Sequence, residues 1–526
     1  MSLNALLQTL LFGAGDQPYR AFVPQSVKIY PIHQLLPTIK PPAVGSWDPT
    51  MLPDTAAYLT HYGDRVQLRR QLYLHIPFCP AFCHFCCLYK TMEPSEQGDD
   101  FIERFVQCLL LEINFYGDMV ATRSRPITSI YFGGGTPSML KPQQVDRILD
   151  AIRKRLPVAE KPEVTFEGMA HQLKNQDYLR AICANGVNRI SFGVQTFQPL
   201  LRTQLGRMDT VEDIFQANDA IRSRPEVRDL NFELLIGIPN QDMPAVINDL
   251  ESTVRAQPHS ADVLFYNAVP GTRYYDMIRR GTRTPQSAGK PLLEMRKAVI
   301  DHLTANGYHH ATGEIFDRRQ DHLDDFNGTH YGGATGLDEM LALGPSSYGF
   351  LNGTVYQNIA SVGRYMECIR QGLLPIRAHQ ALDAARAKRR GLLFGLQLGM
   401  VRKQVVSPWN RRLIASWKLR ELVTPVPGGW AMTAKGKLWY NMMQLEAMPM
   451  REAAPALDLT FDQEEQRRLL FRPLETRGNT ALARQIERII EGPTPLLRPY
   501  RRALFRIGSA LSRRRDPLTF TGPEIP

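Results

Sequence analysis

The sequence predicts an α/β fold in which repeated β/α units form a parallel sheet. Short apolar runs alternate with amphipathic helical segments from Gln71 to about position 300. Six such runs occur, and a helical or loop segment follows each of them. Residues that can bind a metal or a cofactor stand directly after several of the runs. In a parallel sheet such positions meet at one face.

The six strand candidates are short and rich in β-branched and aromatic residues. They read, in chain order, LYLHI, ITSIYFGGG, EVTFEG, NRISFGVQ, DLNFELLIG and ADVLFYNA. The segment that begins at Asp99-Asp100 and the segment KPQQVDRILDAIRKRL repeat apolar residues with a helical period. Gly186 suits a helix C-terminal cap. Six units are too few for a complete eight-fold barrel, so the sequence predicts a partial (β/α)6 TIM-type barrel.

Changes in composition divide the 526 residues into five regions. A proline-rich N-terminal arm precedes the barrel, and a mixed region follows it. A C-terminal, mainly helical cap contains a short hairpin around Gly428-Gly429, which is typical of a winged-helix-like unit. A basic extension ends the chain. We expect these regions at residues 1–70, 71–300, 301–380, 381–445 and 446–526.

Composition also narrows the class of protein. The content of 43% hydrophobic and 22% charged residues is ordinary for a globular protein. Four of the seven cysteines crowd into nine positions, which is no disulfide framework and favours a reducing cytoplasm. Neither a signal peptide nor a membrane span is predicted. The net charge of +11 includes an arginine-rich tail, but no nucleic-acid-binding motif accompanies it.

Cys79, Cys83 and Cys86 form a C-x3-C-x2-C loop directly after the first strand candidate. Three thiolates do not complete the four-ligand shell of a structural zinc site or of an ordinary iron–sulfur cluster. The loop therefore predicts a cluster with one open iron, where a substrate or cofactor can bind. Zinc is the alternative, with His84 or Cys87 as fourth ligand, although no distant second pair of ligands is present.

Residues after the later strands extend the candidate pocket. YFGGGTPS closes the second strand, and its glycines allow a ligand to approach the backbone closely. Taken alone, three glycines more often form a flexible turn. Their place one β/α unit after the cysteine loop makes them a second wall of the same pocket.

Together these motifs resemble the radical S-adenosylmethionine superfamily. The order and spacing of YLHIPFC, YFGGGTPS, EVTFEG, ISFGVQTF, an LGR segment and LLIGIPNQ are similar to its branch of oxygen-independent coproporphyrinogen III dehydrogenases, the HemN-like proteins. The resemblance runs from about Tyr73 to about Met443. It implies a [4Fe-4S] cluster held by Cys79, Cys83 and Cys86. The open iron would bind S-adenosylmethionine, which is cleaved to methionine and a 5′-deoxyadenosyl radical.

The resemblance also implies contacts with one or two S-adenosylmethionine molecules. Those with the first molecule are Tyr73, Gly134, Gly135, Thr136 and Glu167. Those near the second are Phe85, Gln195 and Arg207, with Glu233 where the family carries an aspartate and Tyr348 near a further contact position. Packing, strand-end capping or ion pairing are the structural alternatives for these residues. His75 is interpreted as a structural histidine rather than a catalyst.

Several features depart from the dehydrogenase pattern. The dehydrogenases carry a fourth cysteine two residues after the last ligand, whereas Cys87 follows Cys86 directly. Glu167 is followed by Gly168 rather than by Asp-Pro or Asn-Pro, and FYNAVPGTRYYDM differs as well. These features resemble class C radical methyltransferases, a side branch that includes anaerobic haem-opening and cyclopropane-forming enzymes.

The resulting hypothesis is a methyl or methylene transfer that uses two S-adenosylmethionine molecules. The acceptor would be an unsaturated or aromatic substrate, such as a tetrapyrrole or a natural product. A flavodoxin or ferredoxin would donate electrons. The proton-handling residue stays unidentified; Tyr89, beside the cysteine loop, is a candidate whose alternative role is packing.

Two other functions stay open. One is oxidative decarboxylation of coproporphyrinogen III. The other is haem binding, because some relatives are haem chaperones. Those carry an HN-x-x-Y-W-like segment, which the corresponding stretch FNGTHYGGATGLDEMLALG lacks.

Overall fold

A computed structural model describes most of the chain between positions 68 and 447. The described residues are 41–47, 68–92, 99–119, 125–266, 272–284, 290–320, 322–330, 332–333 and 336–447. Most of the predicted N-terminal arm and nearly all of the basic extension lie outside them.

Six parallel strands, β1 to β6, lie side by side in sequence order and form the centre of the sheet. They span Arg70–Ile76, Ile127–Gly134, Val158–Gly168, Arg189–Gln195, Asp229–Ile236 and Ser260–Phe265. All six strand candidates are thus confirmed, and so is the partial-barrel prediction.

Helices connect consecutive strands on the outside of this sheet. Helices α1 to α7 span Asp99–Asp118, Pro142–Arg155, Ala170–Leu173, Gln176–Ala184, Pro199–Leu205, Val211–Arg222 and Met243–Ala256. A short 3-10 turn at Pro137–Met139 follows β2. Gly186 has a φ of +107° just after α4, which confirms the predicted C-terminal cap.

The two faces of the central strands differ sharply in polarity. In β4, the buried residues Ile190, Phe192 and Val194 belong to the main hydrophobic core beneath the helices. Side chains alternate along a strand, so Ser191 and Gln195 point to the opposite face. The same alternation recurs in β1 to β6, and the space that their polar side chains line is called the lumen below. In a complete TIM barrel this space is filled by bulky apolar residues, whereas here its lining is largely polar.

The mixed region adds six further strands to the same sheet. After α8 (Arg273–Arg279) and α9 (Lys290–Ala305), they span His309–His310, Ile315–Asp317, Glu339–Leu343, Tyr348–Leu351, Thr354–Asn358 and Ile376–Ala381, and are β7 to β12. Strand β9 pairs with β1 in parallel, and β10, β11 and β12 continue antiparallel beyond it. Strands β8 and β7 continue antiparallel beyond β6. Helices α10 (Asp325–His330) and α11 (Val362–Arg370) belong to this region.

One segment of the mixed region lies at the amino ends of the central strands. This floor segment comprises residues 317–320 and 322–330. Its Asp324 carboxylate lies 3.5 Å from the guanidinium of Arg189. The backbone amides of Asp325 and Phe326 donate to the Glu163 carboxylate at 3.0 and 3.1 Å. Charged groups therefore join the floor segment to β3 and β4.

The C-terminal cap has its own small core. It comprises α12 (Ala384–Gln397), β13 (Met400–Arg402), α13 (Pro408–Leu419), β14 (Val423–Val426), β15 (Gly429–Met432) and α14 (Ala434–Ala447), with a 3-10 turn at Lys403–Val405. Trp417, Leu396 and Val401 are fully buried within it. The β14–β15 hairpin turns at Gly428, as predicted. Among the described residues, no helix is long and apolar enough to span a bilayer.

A buried carboxylate ties α1 to the sheet. Glu112 accepts hydrogen bonds from the Gly344 amide at 2.8 Å, from the Tyr365 hydroxyl at 2.6 Å and from the Asn358 side chain at 3.0 Å. Burial raises the pKa of Glu112 to about 7. A Cβ atom at Gly344 would lie 2.5 Å from the His75 carbonyl oxygen. Glu112 therefore links α1 to the loop that begins at Gly344 after β9, and this loop packs closely against β1.

We expect Glu112→Ala to lower the free energy of unfolding by about 2–4 kcal/mol, because three buried donors lose their acceptor. Urea unfolding at neutral pH measures the loss. The matched control is Glu103→Ala on the same helix, where a 2.6 Å ion pair with Arg147 is partly exposed. That change should cost less than about 1 kcal/mol. Equal losses in the two variants would contradict this account.

Candidate active site

The cysteine loop leaves the carboxyl end of β1 and is closed at its base by the backbone. The Cys79 amide donates to the Thr91 carbonyl at 3.1 Å, and the Thr91 amide donates to the Pro77 carbonyl at 2.7 Å. Cys79, Cys83 and Cys86 are partly buried, whereas Cys87 is exposed. The three proposed ligands therefore share one loop, and their neighbour faces outward.

The glycine segment after β2 packs directly on this loop. The amides of Gly135 and Thr136 donate to the carbonyls of Ile76 and Phe78 at 2.8 and 2.7 Å. A Cβ atom at Gly135 would lie 2.6 Å from the Phe78 carbonyl oxygen. The glycine is thus required by a close backbone approach within the protein. These two amides are engaged by the loop, so the segment is neither a flexible turn nor a row of open donors.

Two polar groups reach the sulfur atoms. The Thr136 hydroxyl lies 3.3 Å from the Cys79 sulfur, and the Arg207 guanidinium lies 3.6 Å from the Cys83 sulfur. Burial raises the pKa of the Cys79 thiol to about 11. A buried thiol of this kind becomes a thiolate when a metal cation binds it. The surroundings therefore fit a cysteine-ligated metal group.

The spacing of the sulfurs is wider than one zinc ion requires. Sulfurs on a single tetrahedral zinc lie about 3.8 Å apart, given a Zn–S bond of about 2.3 Å. Among the described residues, the three cysteine sulfurs do not all lie within 4.8 Å of one another. His84, the alternative fourth ligand, has its Nδ1 atom 3.0 Å from the Gln204 carbonyl oxygen. Among the described residues, the loop therefore does not form a compact tetrahedral zinc shell.

In the described part of the chain, Asp229, Asp317 and His322 do each place one potential metal-ligand atom within 4.8 Å of the other two. Arg319 donates to Asp229 at 2.5 Å and to Asp317 at 2.8 Å. A guanidinium therefore already neutralises these carboxylates, at the floor of the lumen.

His75 lies behind the glycine segment with both ring nitrogens engaged. Its Nδ1 atom is 3.2 Å from the Tyr73 hydroxyl, and its Nε2 atom is 2.9 Å from the Tyr89 carbonyl oxygen. Burial lowers the pKa of His75 to about 4, so the ring is neutral at physiological pH. The Tyr89 hydroxyl accepts from the Val362 amide at 3.2 Å. His75 and Tyr89 are therefore structural residues that join β1 to α11.

One wall of the lumen combines tyrosines with a carboxylate. The Tyr131 hydroxyl donates to Glu167 at 2.5 Å. The Tyr73 ring stacks beside the Tyr131 ring at 6.0 Å between centroids. Burial, and then the charge of Glu167, raise the pKa of both tyrosines well above the ordinary value. The tyrosines stay protonated, and Glu167 is held at the carboxyl end of β3.

A second wall, next to the first and formed around β4 and β5, carries the other implied cofactor contacts. Arg207 donates to the Gly193 carbonyl at 2.7 Å and to Asp209 at 2.9 Å. Gln195 is buried, and its φ of +66° turns the chain at the end of β4. Phe85 packs near Tyr266, with ring centroids 6.5 Å apart. Glu233 accepts from the Ser191 hydroxyl at 3.0 Å.

Tyr348 stands apart from these two walls. It begins β10 opposite Gln357 of β11, and Arg377 of β12 lies close enough to affect its titration. Burial raises the pKa of its hydroxyl. The structure thus places it on the antiparallel part of the sheet rather than at an end of β1 to β6.

Several residues that line the lumen in the structure were not singled out in the sequence analysis. They are Tyr131, Thr165, Arg189, Ser191, Asn231 and Asp262. All but Arg189, which begins β4, lie within strands rather than at strand ends. In the sequence they could have been found as polar residues at every second position of otherwise apolar runs.

Comparison with known proteins agrees with this geometry. The family model of the radical SAM superfamily matches residues 73–250. Among curated relatives, the heme chaperone HemW of Lactococcus lactis is 28% identical and aligns with 57% of this chain and 75% of its own length. The anaerobilin synthase of Escherichia coli O157:H7 is 25% identical over 82% of this chain and 92% of its own length. An oxygen-independent coproporphyrinogen III oxidase of Bradyrhizobium diazoefficiens is 26% identical and aligns with 57% of this chain and 66% of its own length.

Among solved structures, coproporphyrinogen III oxidase (HemN) from Escherichia coli superposes with a TM-score of 0.61. It is 22% identical, and the match covers 74% of this chain and 93% of that chain. This likeness shows a shared fold, the partial barrel. Proteins of the superfamily use a [4Fe-4S] cluster and S-adenosylmethionine, and the cysteine loop described above fits such a cluster. This chain therefore contains a radical SAM domain at residues 73–250 and is similar to proteins of the HemN-like branch.

Proposed function

We propose that this enzyme uses two S-adenosylmethionine molecules to transfer a methyl or methylene group to an unsaturated tetrapyrrole. The observation that carries the proposal is the arrangement of the lumen. Candidate cofactor contacts occupy two walls, one with Glu167 beside the glycine segment and one with Gln195 and Arg207. The cysteine loop touches both walls, through Thr136 on one side and Arg207 on the other. Two separate sets of candidate contacts beside one cysteine loop support the use of two cofactor molecules.

In this proposal the residues of the chain bind and position the reacting groups. Cys79, Cys83 and Cys86 would hold the cluster, which would supply the one-electron reduction of S-adenosylmethionine. On its wall, Glu167 is an acceptor for a donor group of the first molecule, held by its bond from Tyr131. Arg207 places a buried positive charge beside Cys83 and anchors the second wall through Asp209. Precise placement of reacting groups is the main catalytic contribution of such a scaffold.

The substrate class and the type of reaction each have one line of support. The named relatives include an anaerobilin synthase and coproporphyrinogen III oxidases, and the first of these aligns with 82% of this chain. Cys87 follows the last ligand directly and is exposed, unlike the C-x-C pattern of the dehydrogenases. An external one-electron donor, such as a flavodoxin or ferredoxin, completes the system. Coproporphyrinogen decarboxylation and haem carriage are the competing functions.

We expect reduced, reconstituted enzyme to convert S-adenosylmethionine with a deuterated methyl group into both 5′-deoxyadenosine and S-adenosylhomocysteine. With haem as substrate, the product should carry deuterium, because the methyl carbon is transferred. Anaerobic incubation followed by mass spectrometry measures all three species. Coproporphyrinogen III, offered in a parallel reaction, serves as the competing substrate.

The three functions give different outcomes in this assay. Carbon dioxide release from coproporphyrinogen without S-adenosylhomocysteine would replace the proposal with the dehydrogenase function. Haem bound without any cleavage of S-adenosylmethionine would replace it with haem carriage.

The assignment of cluster ligands predicts a clear difference among four neighbouring cysteines. We expect Cys79→Ser, Cys83→Ser and Cys86→Ser each to lose most of the iron and sulfide taken up during anaerobic reconstitution. Cys87→Ser is the matched control and should retain both, since its side chain faces outward. Iron and sulfide analysis with near-ultraviolet and visible absorption gives the readout. Loss of the cluster in Cys87→Ser alone would overturn the assignment.

A further inference from the structure

Asp262 is a carboxyl group that the site described so far does not use. It occupies the third position of β6, between Ala261 and Val263, which are fully buried in the hydrophobic core. Because side chains alternate along a strand, Asp262 points into the lumen. It lies opposite Glu233 of β5 in the register of the sheet, and part of its surface is accessible.

Within the described part of the chain, the Oδ1 atom of Asp262 is buried and has no hydrogen-bond partner. The nearby cation is Arg189, whose guanidinium lies 3.5 Å from Asp324 and 3.9 Å from Asp229. Arg189 is therefore shared among carboxylates of the floor and is not reserved for Asp262.

The charges around Asp262 favour its protonated form. Burial raises the pKa of Asp262 well above its ordinary value. Arg189 of β4 opposes this, whereas Asp324 of the floor segment, Glu233 of β5 and Glu314 just before β8 raise the pKa further. These effects shift the equilibrium of Asp262 toward the protonated carboxyl group.

A purely structural role explains this arrangement poorly. A buried acceptor without a partner costs about 1–3 kcal/mol. Asp249, another buried carboxylate, shows the structural solution: it accepts from the Thr196 hydroxyl at 2.8 Å, the Phe197 amide at 2.7 Å and Gln241 at 3.1 Å. Asp262 lacks such a set and faces an accessible, polar space. Groups with this combination of burial, unmet hydrogen bonding and perturbed titration concentrate at functional sites.

We infer that Asp262 is the proton donor that completes methyl transfer in this enzyme. The inference rests on the proposed function. Its geometric basis is the position of Asp262 in the lumen, one strand from Glu233, with an unpaired oxygen. Glu233 in turn influences the Tyr131–Glu167 pair on the first wall. The acid thus belongs to the same connected group of charges as the residues proposed to hold the cofactors.

The step that Asp262 serves follows formation of the new carbon–carbon bond. The sp2 carbon of the substrate, once joined to the methylene carbon, loses its hydrogen as a proton to water. The C–S bond then breaks, S-adenosylhomocysteine leaves, and a CH2 radical stays on the substrate. One electron from the external one-electron donor and one proton from Asp262 convert this group to a methyl group. Asp262 is left as a carboxylate and regains a proton from water.

The test compares Asp262→Asn, which cannot donate this proton, with Asp262→Glu, which keeps an acid. Both full-length variants are reconstituted anaerobically and incubated with haem, S-adenosylmethionine and a one-electron reductant. We expect Asp262→Asn to form 5′-deoxyadenosine while its yield of methylated product per deoxyadenosine falls by about 10²-fold or more. Asp262→Glu should recover part of this yield. In the wild type the yield should fall as the pH rises and Asp262 loses its proton, and Asp262→Asn should lack this dependence.

A second measurement does not depend on the substrate. The infrared spectrum of the resting wild type at pH 7 should contain a protonated-carboxyl band that Asp262→Asn lacks. Cluster content and circular dichroism equal to those of the wild type show that the variant is folded.

The outcomes separate this inference from the proposed function. An unchanged product yield in Asp262→Asn, or no change in the infrared band, overturns the role of Asp262. A wild type that forms no S-adenosylhomocysteine from haem counts against the proposed function, and the infrared difference then still decides whether Asp262 holds the proton.

Discussion

The alternation of side chains along the six central strands is the constraint on which the rest of the structure depends. Every second residue must be apolar to pack beneath the helices, as Phe192 and Val194 do in β4. The intervening residues are then free to be polar, and here they line an interior space with tyrosines, carboxylates and arginines. A lumen built this way cannot close on itself as an apolar core, so it is available to ligands.

Such a lumen is stable only if its buried charges are balanced. Arg189 meets this need at the floor, where the charges of Asp324, Asp229 and Glu163 act on it together. The floor segment that supplies Asp324 comes from the mixed region, more than a hundred residues further along the chain than β4. The floor is therefore held by long-range ion pairs, which leaves the carboxyl ends of the strands open for the cysteine loop and the cofactor walls. Asp262 is an exception to this balance, because its buried Oδ1 atom has no hydrogen-bond partner in the described part of the chain.

The fold and the outline of the site were predictable because both rest on local patterns. The six strands, the cap of α4 at Gly186 and the hairpin at Gly428 follow from period, apolar runs and glycine positions. The short strands β7 to β12 were not predicted, because elements of two to six residues carry too little periodic signal. The role of the glycine segment also changed. Its glycines permit contact with the cysteine loop itself, as the clash of a Cβ at Gly135 with the Phe78 carbonyl shows.

The sequence by itself predicted a metal group with three cysteine ligands, because the chain's own connectivity keeps three cysteines within eight positions. It also determined the parallel sheet, since alternating strands and helices permit few other arrangements. Only the tertiary structure decided which polar residues share the lumen. Asp262 and Glu233 lie far apart along the chain, and adjacent strands place them opposite each other. The raised pKa of Asp262 likewise depends on burial and on the carboxylates of three other segments, and such an environment exists only once the barrel has formed.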